Sequence, residues 1–291
     1  MKTNLSTPLI ALLLALCTFI SCSKPIEESP VEEKSHVTVN VSPFSLSMEE
    51  MGATRTTTLK DAATRLSFAV FDADGKMVFS VQQNSKEANF GKVRMELNSG
   101  TYKMVAVAHN GEADAIISST SSVTLPGTRF TDTFTKVGDL SVEEGKDCTF
   151  NMTLPRVTSA FILQISDEAP AGTKEIEVVV NFGGLEPTSL EIDPSLGLAM
   201  NNWEQTCIIP VSKISSDVPI YFIGMHQIPT WFVNIKAAAY DEDKKVLFSH
   251  TLQSVPLKAN ETTTATGNFF TPKVSGTFTV SDWGADNKFP Y

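Results

Sequence analysis

From His36 onward the apolar residues recur mainly at a spacing of two. Val37, Val39 and Val41 alternate with polar neighbours, as do Phe150, Met152 and Leu154, and later Phe278 and Val280. Successive side chains of an extended backbone point to opposite faces, so each run predicts a strand with one face buried. Other short runs are more fully apolar: Leu66–Phe71, Tyr102–Ala108, Ala160–Ile165, Ile176–Val180, Ile220–Ile223, Trp231–Ala237 and Val246–Phe248. Turn chemistry separates them, at Asp74–Gly75, Asn98–Gly100, Asn110–Gly111, Gly183–Gly184 and Asp241–Asp243. One short stretch, Glu112–Ile117, has a helical look. Many short strands without a long amphipathic helix predict an all-β chain of the β-sandwich class.

The strand runs fall into two sets of similar size. The first closes with the alternating run Thr149–Leu154, and the second opens at Ala160 after Pro155–Arg156–Val157–Thr158. The expected organisation is an N-terminal β-sandwich over 36–155 and a C-terminal one over 156–291, packed end to end with little linker.

The first 35 residues read differently. Lys2 precedes an apolar run, Leu9–Cys17, followed by Thr18–Phe19–Ile20–Ser21–Cys22. A charged start and a short apolar core make residues 1–21 a secretory signal, too short for a comfortable membrane span. Ser21 before Cys22 resembles the lipobox of bacterial lipoproteins, although Phe19 stands where Leu is more usual. An ordinary signal peptide cut nearby is the alternative. An acylated Cys22 would hold the chain on a membrane leaflet. Residues 22–35 carry Pro25, Pro30 and four glutamates, too little apolar surface to fold, and so predict a flexible acidic tether. An acidic run after the lipid cysteine also resembles the surface-export signals of Bacteroidetes lipoproteins.

Leu66–Lys76 and Gly100–Gly111 resemble the first domain of Bacteroidetes fimbrial subunits, and Val255–Phe270 resembles the segment before their last strands. The resemblance is to fimbrillins and FimB-type anchor lipoproteins, and is weakest around Ser189–Ser216. It implies two tandem transthyretin-like β-sandwiches, a place on the outer membrane and fimbrium, and other fimbrial subunits as partners. It also implies assembly by strand exchange, in which a neighbour supplies a strand to an open sheet edge. In stalk subunits of such a family an arginine-specific protease removes the first strand. Here His36–Ser42 is the candidate first strand and Arg55, in the small polar stretch Glu49–Thr58, the candidate cut; in an anchor, Arg55 is an uncut surface residue. The C-terminal run Gly276–Trp283, with Phe278, Val280 and Trp283, is either the last strand of its own sandwich or a donor strand.

Charge and chemistry narrow the remaining classes. Lys and Arg number 23 against 33 Asp and Glu, a net charge of −10 with no basic run, which argues against nucleic acid. The 4 His lie in separate runs without metal-ligand spacing, so no metal or cofactor is expected. Asp72–Gly75 starts like a calcium loop but lacks its later ligands, and reads as a hairpin turn. No phosphate loop and no Gly-x-Ser-x-Gly elbow occurs, and the chain is not expected to be an enzyme. Cys148 and Cys207 fall in different expected sandwiches, which favours two buried thiols over a disulfide. The competing function is a surface glycan-binding lipoprotein, or recognition of a host or bacterial surface receptor. Trp203, Trp231 and Trp283 are the candidate sugar platforms, with Trp231 better placed for a core.

Overall fold

The computed structural model describes residues 34–43, 58–214, 217–225, 227–228 and 230–271, and the backbone of 276–282. Its first half contains β1 (Ser35–Pro43), a single helical turn α1 (Leu59–Ala62), β2 (Arg65–Phe71), β3 (Met77–Asn84) and β4 (Lys92–Leu97). It continues with β5 (Gly100–His109), β6 (Ile116–Ser119), β7 (Ser122–Leu125), β8 (Thr133–Val142) and β9 (Cys148–Leu154). The second half holds β10 (Ser159–Ile165), β11 (Glu175–Asn181), β12 (Leu190–Asp193), β13 (Leu198–Ala199) and β14 (Glu204–Pro210). After these come β15 (Ile220–Phe222), β16 (Trp231–Tyr240), β17 (Val246–Leu257), β18 (Glu261–Gly267) and β19 (Gly276–Asp282). The fold is all-β, in sandwiched sheets.

In the first half a three-stranded sheet, ordered β4-β1-β9, faces a four-stranded one, β3-β2-β5-β8. Val37, Val39, Val93, Met95, Met152 and Leu154 from one sheet meet Leu66, Phe68, Met104, Phe134 and Leu140 from the other. The opposite face of β2 and β5 is buried as well, because Ala69, Phe71, Val105 and Val107 belong to a second core. That double burial is why these two runs show no alternation: a strand covered on both faces is apolar throughout. In the second half, β15-β10-β18-β19 and β14-β11-β16-β17 enclose the rest of this second core, around Phe161, Ile176, Val178, Phe222 and Ile235.

The expected break at Pro155 lies between β9 and β10. A further connection joins the halves. β7 pairs with β12 through Leu125↔Leu190, Thr124↔Glu191 and Val123↔Ile192, so that β13-β12-β7-β6 is one sheet with two strands from each half. The halves therefore share a sheet and a core instead of meeting only end to end, and the described residues from Lys34 onward form a single compact unit.

The helical expectation for Glu112–Ile117 is corrected. Ile116 and Ile117 begin β6, paired with Thr124 and Val123 of β7, and the Asp114 carboxylate accepts a hydrogen bond from Arg65 at 3.0 Å. Six residues can make less than two turns, and a single turn offers too few hydrogen bonds to offset its ordering; an available strand partner wins. The α-helical turn among the described residues is instead α1, where the Asp61 carboxylate accepts the backbone N–H of Thr58 at 3.0 Å in a capping box; a 3-10 turn follows later at Val211–Lys213.

Asp72–Gly75 forms the β2–β3 hairpin turn. The Asp72 carboxylate accepts the N–H groups of Asp74 and Lys76 at 3.1 and 2.9 Å. Asp241 does the same for Asp243 and Lys245 at 3.0 and 2.9 Å between β16 and β17. In each turn the residue three positions after the aspartate is left-handed: Gly75 at φ 77° and Lys244 at φ 60°. These carboxylates are consumed by their own backbone.

His109, at the end of β5, is 1% exposed. Its Nδ1 accepts the Gly111 N–H at 2.9 Å, while its Nε2 has no partner. Burial lowers its pKa to about 4, outweighing the pull of Asp114, and Arg65 adds to the lowering. The unfolded chain takes up this proton near pH 6.5 and the folded chain only near 4. The stabilisation is thus complete above about 6.5 and lost as pH falls towards 4, by about 3 kcal/mol in all. Urea melts between pH 7 and 5 should show stability rising with pH, and His109→Gln should flatten that slope. An unchanged slope would remove His109 as its source.

Candidate assembly strands

The first strand among the described residues is not at the edge of its sheet. β1 is central, antiparallel to β4 from Ser35↔Leu97 to Asn40↔Lys92 and parallel to β9 from Val37↔Cys148 to Pro43↔Leu154. Its alternation does what the sequence predicts: Val37, Val39 and Val41 are 1%, 0% and 6% exposed. Side chains also fix its register. The Ser35 hydroxyl donates to the Glu143 carbonyl at 2.6 Å, the His36 N–H donates to Asp147 at 3.1 Å, and the Asn40 amide donates to Asn151 at 3.0 Å. Near its end, the Val41 N–H donates to the Gly91 carbonyl at 2.7 Å. Gly91 has φ +85°, and a Cβ there would stand 3.0 Å from the Val41 carbonyl, so glycine permits the close approach.

Removing such a strand would leave a groove with two unpaired ladders and an apolar floor. Three buried valines contribute roughly 1.5–3 kcal/mol each, so whatever refills the groove recovers several kcal/mol besides the hydrogen bonds.

At the other end, β19 pairs antiparallel with β18, with Phe278 opposite Ala265 and Val280 opposite Thr263. The side chains of Phe278 and Val280 lie outside the described residues, as do Trp283, Arg55 and Cys22.

The tryptophans proposed as sugar platforms are core residues where they are described. Trp203 is 2% exposed, stacked on Phe222 at 5.8 Å between ring centroids and edge-on to Phe130 at 5.3 Å. Trp231 is 5% exposed. Neither offers a flat face to a sugar. Cys148 in β9 and Cys207 in β14 are both free thiols, and burial pushes the Cys207 thiol up. Among the described residues no group of His, Cys, Asp and Glu is arranged to hold a metal ion. None of the described helices is long and apolar enough to cross a membrane.

Solved structures share this architecture. A proposed polysaccharide-binding protein of Bacteroides thetaiotaomicron superposes with a TM-score of 0.50 at 11% identity, over 87% of this chain and 100% of that one. A proposed adhesin of Bacteroides ovatus gives a TM-score of 0.50 at 12% identity, over 84% and 94%. The fimbrial anchor protein Mfa2 of Porphyromonas gingivalis gives 0.45 at 12% identity, over 86% and 98%. No curated protein matches the chain. The family profile of the fimbrillin-A associated anchor proteins Mfa1 and Mfa2 matches residues 28–179, which span β1 to most of β11. That match takes in more than half of the sequence and the whole of the first sandwich, and the chain belongs to this fimbrial family.

Proposed function

We propose that the chain is a fimbrial anchor or subunit of the outer membrane surface, held by a lipid on Cys22 and acting in adhesion and assembly through β-strand exchange. The observation that carries this reading is the central place of β1. A strand held centrally between β4 and β9, whose place is a groove with an unpaired ladder on each side when it is vacated, is what an exchangeable strand requires. Membership of a fimbrial anchor family supports the same role. In the anchor form the lipid, the tether and β1 stay together and Arg55 remains intact; in a stalk form, cleavage after Arg55 would release all three.

Membrane fractionation tests the anchor form. Wild-type chain should sediment with outer membranes after a salt wash, at the full length expected from Cys22, and Cys22→Ala should move it to the soluble fraction. Membrane-bound Cys22→Ala would overturn lipid anchoring. Fractions dominated by a fragment beginning after Arg55 would replace the anchor form by the stalk form.

A further inference from the structure

The two halves repeat one strand arrangement. β1 and β10 open their respective halves, and each pairs antiparallel on one side, with β4 and with β15. On the other side each has a parallel partner, β9 and β18. Beyond β18 lies β19, antiparallel from Glu261↔Asp282 to Gly267↔Gly276. Beyond β9 there is no paired strand among the described residues.

Burial follows this difference. On β18, Thr262 and Thr263 are 2% and 1% exposed. On β9, Thr149, Phe150 and Asn151 are all exposed. Phe150 is 39% exposed although period two puts it on the same face as Met152 and Leu154, at 2% and 0%. An aromatic side chain on the core-facing side of a sheet is left uncovered where the next strand would lie.

Edge strands in soluble proteins are usually protected by charge, proline, bulges or shortness. The other edges here use these devices, except β19, whose one charge is Asp282 at its end. β4 presents Lys92, Arg94 and Glu96, β8 has Lys136 and Asp139, and β14 has Glu204 and Pro210. β17 is irregular against β16, and β3 shifts register against β2. β6, β13 and β15 are four, two and three residues long. β9, Cys-Thr-Phe-Asn-Met-Thr-Leu, has seven residues, no charge, no proline and an unbroken register with β1.

We propose that the outer edge of β9 accepts an antiparallel β-strand from another fimbrial subunit, with β1 still in place. The chain's own β19 sets the chemistry of that strand. Gly-Thr-Phe-Thr-Val-Ser-Asp, which covers the equivalent edge of β18, alternates apolar residues with Thr or Ser and carries one charge, at its end. Main-chain hydrogen bonds along β9 supply affinity, and the open position beside Phe150 receives an apolar side chain. The chain carries a net charge of −10, and β9 itself is uncharged, so an uncharged strand can approach it without burying a charge. The inference rests on the fimbrial reading, but needs neither lipid nor cleavage.

Hydrogen exchange on the Cys22→Ala chain, with and without a synthetic peptide of sequence Gly276–Asp282, tests it directly. Amides of Cys148–Leu154 should exchange several-fold more slowly with the peptide than with a scrambled one. Phe150→Lys, an inward-pointing charge on an edge strand, should abolish that protection while lowering Tm by no more than about 5 °C; Phe150→Leu should retain it. Protection absent from β9, confined to β18, or unchanged in Phe150→Lys overturns the proposal. Cells separate it from the broader reading. If Phe150→Lys assembles normally while loss of the whole chain disrupts fimbriae, the edge proposal fails and the fimbrial role stands. If cells without the chain build normal, anchored fimbriae, the fimbrial role fails whatever the peptide does.

Discussion

Arg156→Ala is expected to destabilise the folded unit by about 3–5 kcal/mol, the usual cost of stripping one partner from a buried ion pair. Arg156 lies on the step between β9 and β10, its side chain only 15% exposed against 7% for Asp132. Its Nε donates to one carboxylate oxygen of Asp132 at 2.8 Å and a terminal nitrogen donates to the other at 3.1 Å. The second terminal nitrogen donates to Asn260 at 3.2 Å, and the guanidinium carbon lies 4.6 Å from the centre of the Phe134 ring. Thr158 donates to the same carboxylate at 3.1 Å. One side chain thus ties together the approaches to β8, β10 and β18. Burial already pushes the Asp132 carboxyl above the usual carboxylate range, with Arg156 pulling the other way. Without the guanidinium the carboxylate is a buried charge with hydroxyl and backbone donors alone. Urea melts should show the loss, with Arg156→Lys recovering only part of it because an ammonium cannot form the two parallel bonds. A loss below about 1 kcal/mol would mean that the pair's desolvation had been overestimated.

Arg156 reads in the sequence as part of a linker, and the reason is general to this chain. Period two marks a strand only where one face meets a core and the other meets water. β1 and β9 satisfy that condition, and their alternating runs mark them within a residue or two. β2 and β5 are buried on both faces and had to be read from apolar content instead. β3 is an edge strand in which only Gln83 is buried, and Met-Val-Phe-Ser-Val-Gln-Gln-Asn opens on two apolar neighbours and closes on three polar ones. β12 and β13 are too short to establish one. The β7–β12 pairing joins residues more than sixty positions apart, and no local pattern encodes such a partnership.

The candidate site divides in the same way. The expectations at Cys22 and Arg55 rest on neighbouring residue types and need no fold. The availability of a strand edge is a property of the neighbours it lacks. Phe150, by spacing, belongs with Met152 and Leu154 on a buried face, and the inference fails because β9 ends its sheet. Trp203 stands in a polar stretch, Asn201–Asn202–Trp203–Glu204, that suggests exposure; the aromatic cluster that buries it comes from Phe130, Phe182 and Phe222, distant in sequence.

Deleting Gly276–Tyr291 is expected to lower Tm by roughly 10 °C or more. β19 forms a full antiparallel ladder with β18 in its own chain, and period two puts Phe278 and Val280 on one face of it. The ladder lost with it runs over seven residue pairs, its backbone hydrogen bonds contribute on the order of 1 kcal/mol each, and each kcal/mol moves Tm by about 2–4 °C in a unit of this size. Loss of the strand also uncovers the edge of β18, where Thr262, Thr263 and Ala265 are now buried. A donor strand behaves in the opposite way: it contributes little to the isolated chain and everything to the polymer. Thermal melts of the truncated chain, set beside a fimbrial assembly assay, therefore separate the two roles. A large fall in Tm identifies β19 as a strand of its own sheet. An unchanged melt with assembly abolished would make it a donor to a neighbouring subunit, because its apolar face would then be satisfied only in the polymer.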